Sequence, residues 1–156
     1  MERIYSPALS PHNITITALL SRQGTKAVLK EIGLENKVGD SKLDMVLRVH
    51  VAEQVWAIFG GVHVKASLAE RVSDDIPCSR AMMGAGYFSP LWTLDVKSFP
   101  PSGDLVNRGE LGSPTQPSDK RKYVEIHGDF DHCYSANART VPSAGQTQSG
   151  KRIFKP

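Results

Sequence analysis

The sequence predicts an α+β protein that is mostly β: an antiparallel sheet or a small β-sandwich, with one or two short helices and a polar C-terminal tail. Strongly alternating segments within residues 43–68, and one short capped helix before them, support this class. A chain of 156 residues that is 40% apolar has the size and composition of one compact domain. The chain divides into an extended N-terminal arm (1–12), a single mostly-β globular domain (13–134) and a polar basic tail (135–156).

The best-specified strand lies between Leu43 and Val51. Apolar side chains occupy every second position from Leu43 onward, and Asp44, Arg48 and His50 fall on the other face. Because successive side chains of a strand point to opposite faces of the sheet, this alternation predicts a strand with one buried face.

A β-hairpin is predicted immediately after this strand. Residues 54–59 and 62–68 are separated by Gly60 and Gly61, and glycine tolerates the positive φ angles of a tight two-residue turn. In the second strand of the hairpin, His63 and Lys65 lie on the polar face. We therefore expect His63 to be solvated.

One helix and three further strands complete the predicted core. The helix begins near Thr25, whose hydroxyl can cap it, and ends at Gly33, where glycine can adopt the left-handed conformation. A single helical turn is expected at residues 79–83. Alternating apolar residues predict the other strands, at residues 14–20, 92–96 and 123–127. A Pro/Gly-rich loop at residues 100–119 separates the last two, and loops of this length are usually functional or disordered.

No part of the sequence has the composition of a membrane span or a signal peptide. It contains no run of about 18 apolar residues, and its first residues lack an apolar core. We therefore expect a cytoplasmic protein. Two cysteines, Cys78 and Cys133, are expected to stay reduced in that compartment.

The positive charge of the chain is concentrated at its C-terminal end. The formal net charge is +3, yet residues 120–156 alone contain seven basic and three acidic side chains. Such a segment can contact the phosphates of RNA or DNA, it can contact an anionic membrane surface, or it can keep a tail soluble. The candidate contact residues are Lys120, Arg121, Lys122, Arg139, Lys151 and Arg152.

Imidazole, carboxylate and thiol groups cluster between His127 and Cys133, and these are ligand types of zinc sites. The segment resembles the H-x-H-x-D-H signature of the metallo-β-lactamase fold at His127, Asp131 and His132. Asp129 stands where that signature has a histidine. The resemblance implies a metal-dependent hydrolase. Only 23 residues follow Cys133 and none is a histidine, so we assign no metal ligand and expect no cofactor.

An apolar stretch at residues 82–92 is interrupted by glycines. It can belong to the core or to a protein interface, because methionine and aromatic side chains are enriched in contact surfaces. The candidate interface residues are Met82, Met83, Tyr87, Phe88 and Trp92.

No catalytic signature is recognisable in the sequence. It has no Gly-x-Ser-x-Gly elbow, and Asp74 and Asp75 lie in a predicted turn with no apolar pocket around them. The proline-flanked extended ends suit strand exchange between neighbouring copies. Residues 142–145, Pro-Ser-Ala-Gly, are similar to the P-S-A-P motif in the tails of enveloped-virus structural proteins.

These observations favour a non-enzymatic structural or assembly protein. We expect it to form a homo-oligomer within a larger complex, of which a virion-associated matrix or capsid is one example. The alternative is a nucleic-acid-binding module that uses the basic C-terminal region. A metal-dependent hydrolase built on residues 127–133 is the third interpretation.

Overall fold

The computed structural model describes residues 2–38, 43–69, 71–97 and 109–155. Within these ranges, no helix is both long enough and apolar enough to cross a bilayer. The helices are α1 (Glu2–Leu9), α2 (Arg22–Glu31), α3 (Glu35–Val38), α4 (Ile76–Gly84) and α5 (Asp119–Glu125). The strands are β1 (Ile14–Ala18), β2 (Met45–Ala52), β3 (Val55–Lys65), β4 (Leu91–Thr93), β5 (His132–Ser135) and β6 (Arg152–Phe154).

The six strands form one mixed sheet in the order β1-β2-β3-β4-β5-β6. β1, β2 and β3 pair antiparallel, whereas β3, β4, β5 and β6 pair parallel. The predicted α+β class is confirmed. The predicted antiparallel pairing holds only for the first half of the sheet. Parallel neighbours need long crossover connections, and α4 and α5 lie in two of them.

The hairpin of β2 and β3 turns at residues 52–55, where Ala52 pairs with Val55, and not at Gly60 and Gly61 as predicted. Both glycines lie inside β3, which runs through them without interruption. A Cβ atom at Gly60 would lie 2.5 Å from the carbonyl oxygen of Phe88. Gly60 therefore marks a close approach of two backbones rather than a turn, and a Cβ atom at Gly61 would meet the side chains of Leu43 and Met82.

The helix predicted near Thr25 is α2, and it begins earlier than predicted. Its N-cap is Ser21, whose hydroxyl accepts a hydrogen bond from the backbone N–H of Gly24 at 3.0 Å. It ends where predicted, because Gly33 has a φ of 71° and the N–H of Leu34 donates to the carbonyl of Leu29 at 2.8 Å.

The N-terminal arm, predicted to be extended, is largely the helix α1. The Glu2 carboxylate accepts a hydrogen bond from the backbone N–H of Ala18 in β1 at 2.9 Å, and Leu9 packs against a buried cluster on the sheet. The prolines of this segment favoured an extended arm over a helix. Packing against β1 stabilises the helix despite Pro7 within it. Tertiary packing is the main source of stability for short helices.

Residues 123–127, predicted as a strand, belong mainly to the helix α5. Ser118 caps this helix by accepting a hydrogen bond from the N–H of Arg121 at 3.2 Å, and Asp119 lies in its first turn. Val124 is fully buried. Two apolar residues at alternate positions were too short a pattern to distinguish a strand from a helix.

The C-terminal tail is folded into the sheet rather than left as a polar extension. β6 pairs with β5, and Ile153 within it is 1% exposed. Residues 136–151 connect the two strands. The three residues of β6 carry no periodicity that sequence analysis could detect, and the strand is defined by its pairing with β5.

Part of the predicted Pro/Gly-rich loop, residues 100–108, lies outside the described residues. The remainder is anchored to the core: the backbone N–H of Glu110 donates to the buried carboxylate of Asp95, and Leu111 is fully buried.

Three buried clusters stabilise the sheet. Met45 and Val46, neighbours in β2, belong to different clusters, so β2 is buried on both faces, whereas alternation predicted one buried face. The first cluster includes Val28, Leu29, Leu34, Val46 and Met82. The second includes Leu68, Leu91, Leu111, Val124, Phe130 and Ile153. The third includes Ile16, Met45, Leu47 and Val62.

The close approach at Gly60 gives a stability prediction. We expect Gly60→Ala to lower the free energy of unfolding by about 1–3 kcal/mol, because the new methyl group meets the backbone of Phe88. Gly84→Ala is the control, since a Cβ there meets nothing within 4 Å. We expect that control to be neutral or stabilising by up to about 1 kcal/mol. Urea denaturation measures both, and equal values for the two variants would contradict the prediction.

Candidate active site

Asp44 and Lys65 are neighbours because β2 and β3 run antiparallel. Asp44 directly precedes β2, and Lys65 is the last residue of β3. Pairing of Met45 with Val62 places the start of β2 beside the end of β3. Asp44 Oδ2 accepts a hydrogen bond from the backbone N–H of Val64 at 2.7 Å and lies 3.9 Å from Lys65 Nζ.

A second carboxylate, that of Asp75, reaches the same ammonium group from the start of α4. Asp75 Oδ2 lies 2.6 Å from Lys65 Nζ, and the Asp75 side chain is fully buried. Asp75 is the N-cap residue of α4, yet its carboxylate makes no capping hydrogen bond to the described first turn of that helix. An N-cap aspartate usually turns toward those backbone N–H groups. Here the carboxylate turns toward Lys65 instead.

These three residues form a site between the protein interior and solvent, which we call the Asp44–Lys65–Asp75 site. The Lys65 side chain is 10% exposed, and that of Asp44 is 37% exposed. A buried carboxylate without a cation would be strongly destabilising, and Lys65 Nζ lies 2.6 Å from Asp75 Oδ2. Asp44 is thus the more solvent-accessible of the two carboxylates.

His63 borders the site from within the protein. It lies two residues before Lys65 on the same face of β3 and is fully buried, so the prediction that it is solvated is wrong. Its Nδ1 lies 3.7 Å from Asp75 Oδ2, and its Nε2 lies 3.2 Å from Ser89 Oγ. The contacts from Ser89 to His63 and from His63 to Asp75 are arranged like those of a hydrolase triad. Ser89 is fully buried and lies 2.9 Å from Ser79 Oγ, so a substrate cannot reach it.

The donor set of the Asp44–Lys65–Asp75 site fits a divalent cation that is held partly by its substrate. Mg²⁺ is commonly bound by one or two protein carboxylates together with substrate phosphates and water. Asp44 and Asp75 lie close enough to share one ammonium group. Across the part of the chain that the structure describes, no cluster of three or more His, Cys, Asp or Glu side chains is placed to hold a metal. Two carboxylates are the number that Mg²⁺ commonly takes from a protein, with substrate phosphate and water as further ligands.

Sequence reasoning did not assemble this site. It placed Asp44 and Lys65 on polar strand faces, and it placed Asp75 in a turn without an apolar pocket. The hairpin turn predicted at residues 60–61 excluded the pairing that brings the start of β2 to the end of β3. The available signal was a charged residue at each of the two strand ends that a turn at residues 52–55 would bring together.

The acidic groups of segment 127–133 are used in ion pairs rather than as a ligand cluster. Asp129 is fully buried and lies 2.5 Å from Arg80, and Asp131 lies 2.5 Å from Lys151. A catalytic zinc site needs three protein ligands, and the side chains of this segment, all within the described residues, do not form such a group. The structure does not support the hydrolase interpretation that was based on this segment.

Both cysteines are buried thiols, and they lie in different hydrophobic clusters. Burial raises the pKa of the Cys133 thiol well above its usual range, and the buried charge of Asp95 adds to this effect. The thiolate is the form that binds metals, so Cys133 is an unsuitable ligand.

Arg121, predicted to contact phosphates, is fully buried instead. Its guanidinium donates to Glu125 Oε2 at 3.1 Å and to the carbonyl oxygens of Val141 and Pro142. Burial lowers the pKa of Arg121, and the nearby Glu125 carboxylate opposes that shift. The prediction that Arg121 lies at the surface is therefore wrong, and this residue holds the connection between β5 and β6 in place.

The other predicted phosphate contacts lie at or near the surface. Lys122 pairs with Asp119 at 2.9 Å, and Lys151 pairs with Asp131. Arg139 and Arg152 are exposed, and Lys120 is half-buried. Their contact with nucleic acid stays a prediction.

The predicted interface residues are mainly part of the hydrophobic clusters. Met82 is fully buried, so its assignment to an interface is wrong. The other four are half-buried, and their role in an interface stays a prediction; they are Met83, Tyr87, Phe88 and Trp92.

Comparison with known proteins identifies a family for most of the chain. The family model described as "BsaWI restriction endonuclease type 2" matches residues 23–155. The chain is 52% identical over 156 residues to the type II restriction enzyme AgeI of Thalassovita gelatinovora. The match covers 96% of this chain and 56% of that enzyme. The chain therefore spans little more than half the length of this relative.

Two solved structures resemble the fold. The crystal structure of a specific restriction endonuclease AgeI–DNA complex matches with a TM-score of 0.88 and 50% identity, over 97% of this chain and 56% of that chain. The crystal structure of a pre-specific restriction endonuclease BsaWI–DNA complex matches with a TM-score of 0.61 and 15% identity, over 99% and 53%. At that identity, the second match shows the fold alone.

His132, in segment 127–133, gives a prediction for stability against pH. Partial burial lowers the pKa of its imidazole from about 6.5, and the charges of Lys151 and Arg152 contribute to the shift. As pH falls, His132 is protonated more readily in the unfolded chain than in the folded chain. The free energy of unfolding should therefore decrease as pH falls below about 6.5. We expect His132→Gln to make this decrease shallower in denaturation experiments between about pH 7.5 and pH 5.5. A variant with the wild-type slope would refute this assignment.

Proposed function

Because the chain belongs to the BsaWI family of type 2 restriction endonucleases, we propose that it hydrolyses phosphodiester bonds of DNA at the Asp44–Lys65–Asp75 site. The observation that carries the proposal is the convergence of two carboxylates on one lysine at the joined ends of β2 and β3. Metal-assisted phosphoryl chemistry uses such carboxylates to hold cations at a phosphate.

Family membership corrects three predictions made from the sequence. The protein is not a structural or assembly component, and it is not a virion protein. The prediction that it is not an enzyme is also wrong, since its relatives are restriction endonucleases. The nucleic-acid-binding alternative agrees better with this family. Self-association remains a prediction.

In the proposed reaction, each residue of the site has a distinct role. Asp44 and Asp75 would hold a divalent cation, which supplies positive charge at the scissile phosphate and acidifies water when bound. Lys65 donates its ammonium hydrogens toward the phosphate and stabilises the negative charge that develops on the oxygens in the transition state. Asp44, as the more exposed carboxylate, lies where the phosphate enters.

We further propose that the surface cations of the C-terminal region contact the DNA backbone. The AgeI structure, 50% identical to this chain, is a complex with DNA, which supports this assignment. The contacts would be made mainly to phosphates, because lysine and arginine neutralise the charge of the DNA backbone. The residues are Lys120, Lys122, Arg139, Lys151 and Arg152.

Replacement of the site residues tests the nuclease proposal. We expect Lys65→Met to lower the rate of plasmid DNA cleavage in Mg²⁺ by at least about 100-fold, because transition-state charge loses its stabilising ammonium. We expect Asp44→Asn and Asp75→Asn to have comparable effects.

Lys30→Ala is the control, because Lys30 is exposed on α2 and lies outside the site. That variant should cleave as the wild type does. A Lys65→Met variant with wild-type cleavage would disprove the assignment of the site. A wild-type chain that cleaves no DNA would disprove the proposed activity itself.

Salt dependence tests the proposed DNA contacts. We expect the combined variant Lys122→Ala, Arg139→Ala and Arg152→Ala to bind DNA more weakly. The slope of log affinity against log salt should be shallower by about 0.9 for each phosphate that the variant no longer neutralises. Fluorescence anisotropy measures both quantities.

The control changes Lys26, Lys30 and Lys37 to alanine, which removes the same charge from exposed positions in α2 and α3. Equal slopes for the two triple variants would contradict the proposal.

A further inference from the structure

We propose that His63 is a positioning residue of the Asp44–Lys65–Asp75 site: its imidazole holds the Asp75 carboxylate beside Lys65 without contacting the substrate. This inference rests on the proposed nuclease function. It concerns a side chain that is fully buried behind the site and that therefore cannot reach a phosphate.

One oxygen of Asp75 faces both groups. Asp75 Oδ2 lies 2.6 Å from Lys65 Nζ and 3.7 Å from His63 Nδ1. Residues two apart on a strand share a face, so β3 presents the ammonium and the imidazole side by side to this carboxylate. Two groups of β3 thus face this carboxylate, which does not cap the first turn of α4.

The imidazole is fixed on its far side. Its Nε2 lies 3.2 Å from Ser89 Oγ, and Ser89 Oγ lies 2.9 Å from Ser79 Oγ. The Phe130 ring packs edge-on against the imidazole, with the two ring centres 5.5 Å apart. Asp131 in turn holds Ser89, because its Oδ2 accepts the Ser89 backbone N–H at 2.8 Å. Each of these contacts restricts rotation of the histidine ring.

Lys65 is less suited to this task than His63. A lysine ammonium sits on a flexible four-carbon stem, and Lys65 has to respond to an incoming phosphate. A buried imidazole has two torsions, and here both of its nitrogens lie near polar groups. His63 therefore sets the position of Asp75, while Lys65 remains able to move with the reaction. Partners that orient groups in a metal site typically contribute a factor of about 10–100 in activity or metal affinity.

Two substitutions separate positioning from packing. His63→Phe keeps the ring volume and removes both nitrogens. His63→Asn keeps a polar amide near the position of Nδ1, and its shorter side chain no longer reaches Ser89. Ser89→Ala is a milder variant that releases the ring without changing it, and it keeps the test possible if His63→Phe does not fold. His50→Phe is the control, because His50 lies on β2 beside Trp56 and outside the site.

We expect His63→Phe to lower kcat for DNA cleavage by about 10–100-fold while KM for DNA stays unchanged. His63→Asn should recover most of the loss, and Ser89→Ala should show a smaller loss in the same direction. Crystal structures of the variants should show the Asp75 carboxylate displaced from Lys65 in His63→Phe and close to the 2.6 Å separation in His63→Asn.

Unchanged kcat in His63→Phe would overturn the inference. A fall in kcat with Asp75 still 2.6 Å from Lys65 would also overturn it, because His63 would then act by another route. If the wild-type chain cleaves no DNA, the proposed function fails. The position of Asp75 in the variant structures then decides the positioning inference independently.

Discussion

Burial of the Asp75 carboxylate beside the Lys65 ammonium constrains the architecture around the site. Two charges removed from water stabilise each other only at short range and in good geometry. β3 therefore has to end at Lys65 next to the start of α4, and the pairing of β2 with β3 has to bring Asp44 to the same ammonium. A register slip of one residue in β3 would turn Lys65 and His63 to the opposite face of the sheet and away from the buried Asp75 carboxylate.

β3 meets these requirements because it joins the two halves of the sheet. It pairs antiparallel with β2, which supplies Asp44, and parallel with β4. Parallel pairing of β3 with β4 requires a crossover connection. This crossover contains α4 and the residue before it, Asp75. Gly60 lets the backbone of Phe88 approach β3 closely at the end of that crossover. The chemistry of the site is thus a consequence of where the sheet changes from antiparallel to parallel.

The C-terminal region contributes to this site indirectly. Asp131 binds the backbone N–H of Ser89 through one oxygen and Lys151 through the other. Ser89 contacts His63, so a basic residue of the predicted tail is linked through three side chains to the Asp75 carboxylate. Arg121 anchors the connection that precedes β6. A segment whose charge suggested a soluble extension therefore includes a partly buried ion pair, and its other surface cations remain available to a polyanion.

The sequence by itself determined the elements whose pattern is local. Alternation from Leu43 predicted β2, and the glycine at position 33 marked the end of α2, because period and capping are set by neighbouring residues. Only the tertiary structure decided whether Gly60 formed a turn or a close approach of two backbones, and whether residues 119–125 became a helix. It alone also brought together Asp44, Lys65 and Asp75. These residues lie far apart along the chain, and the free energy of pairing their charges exists only once strand pairing and a crossover have made them neighbours.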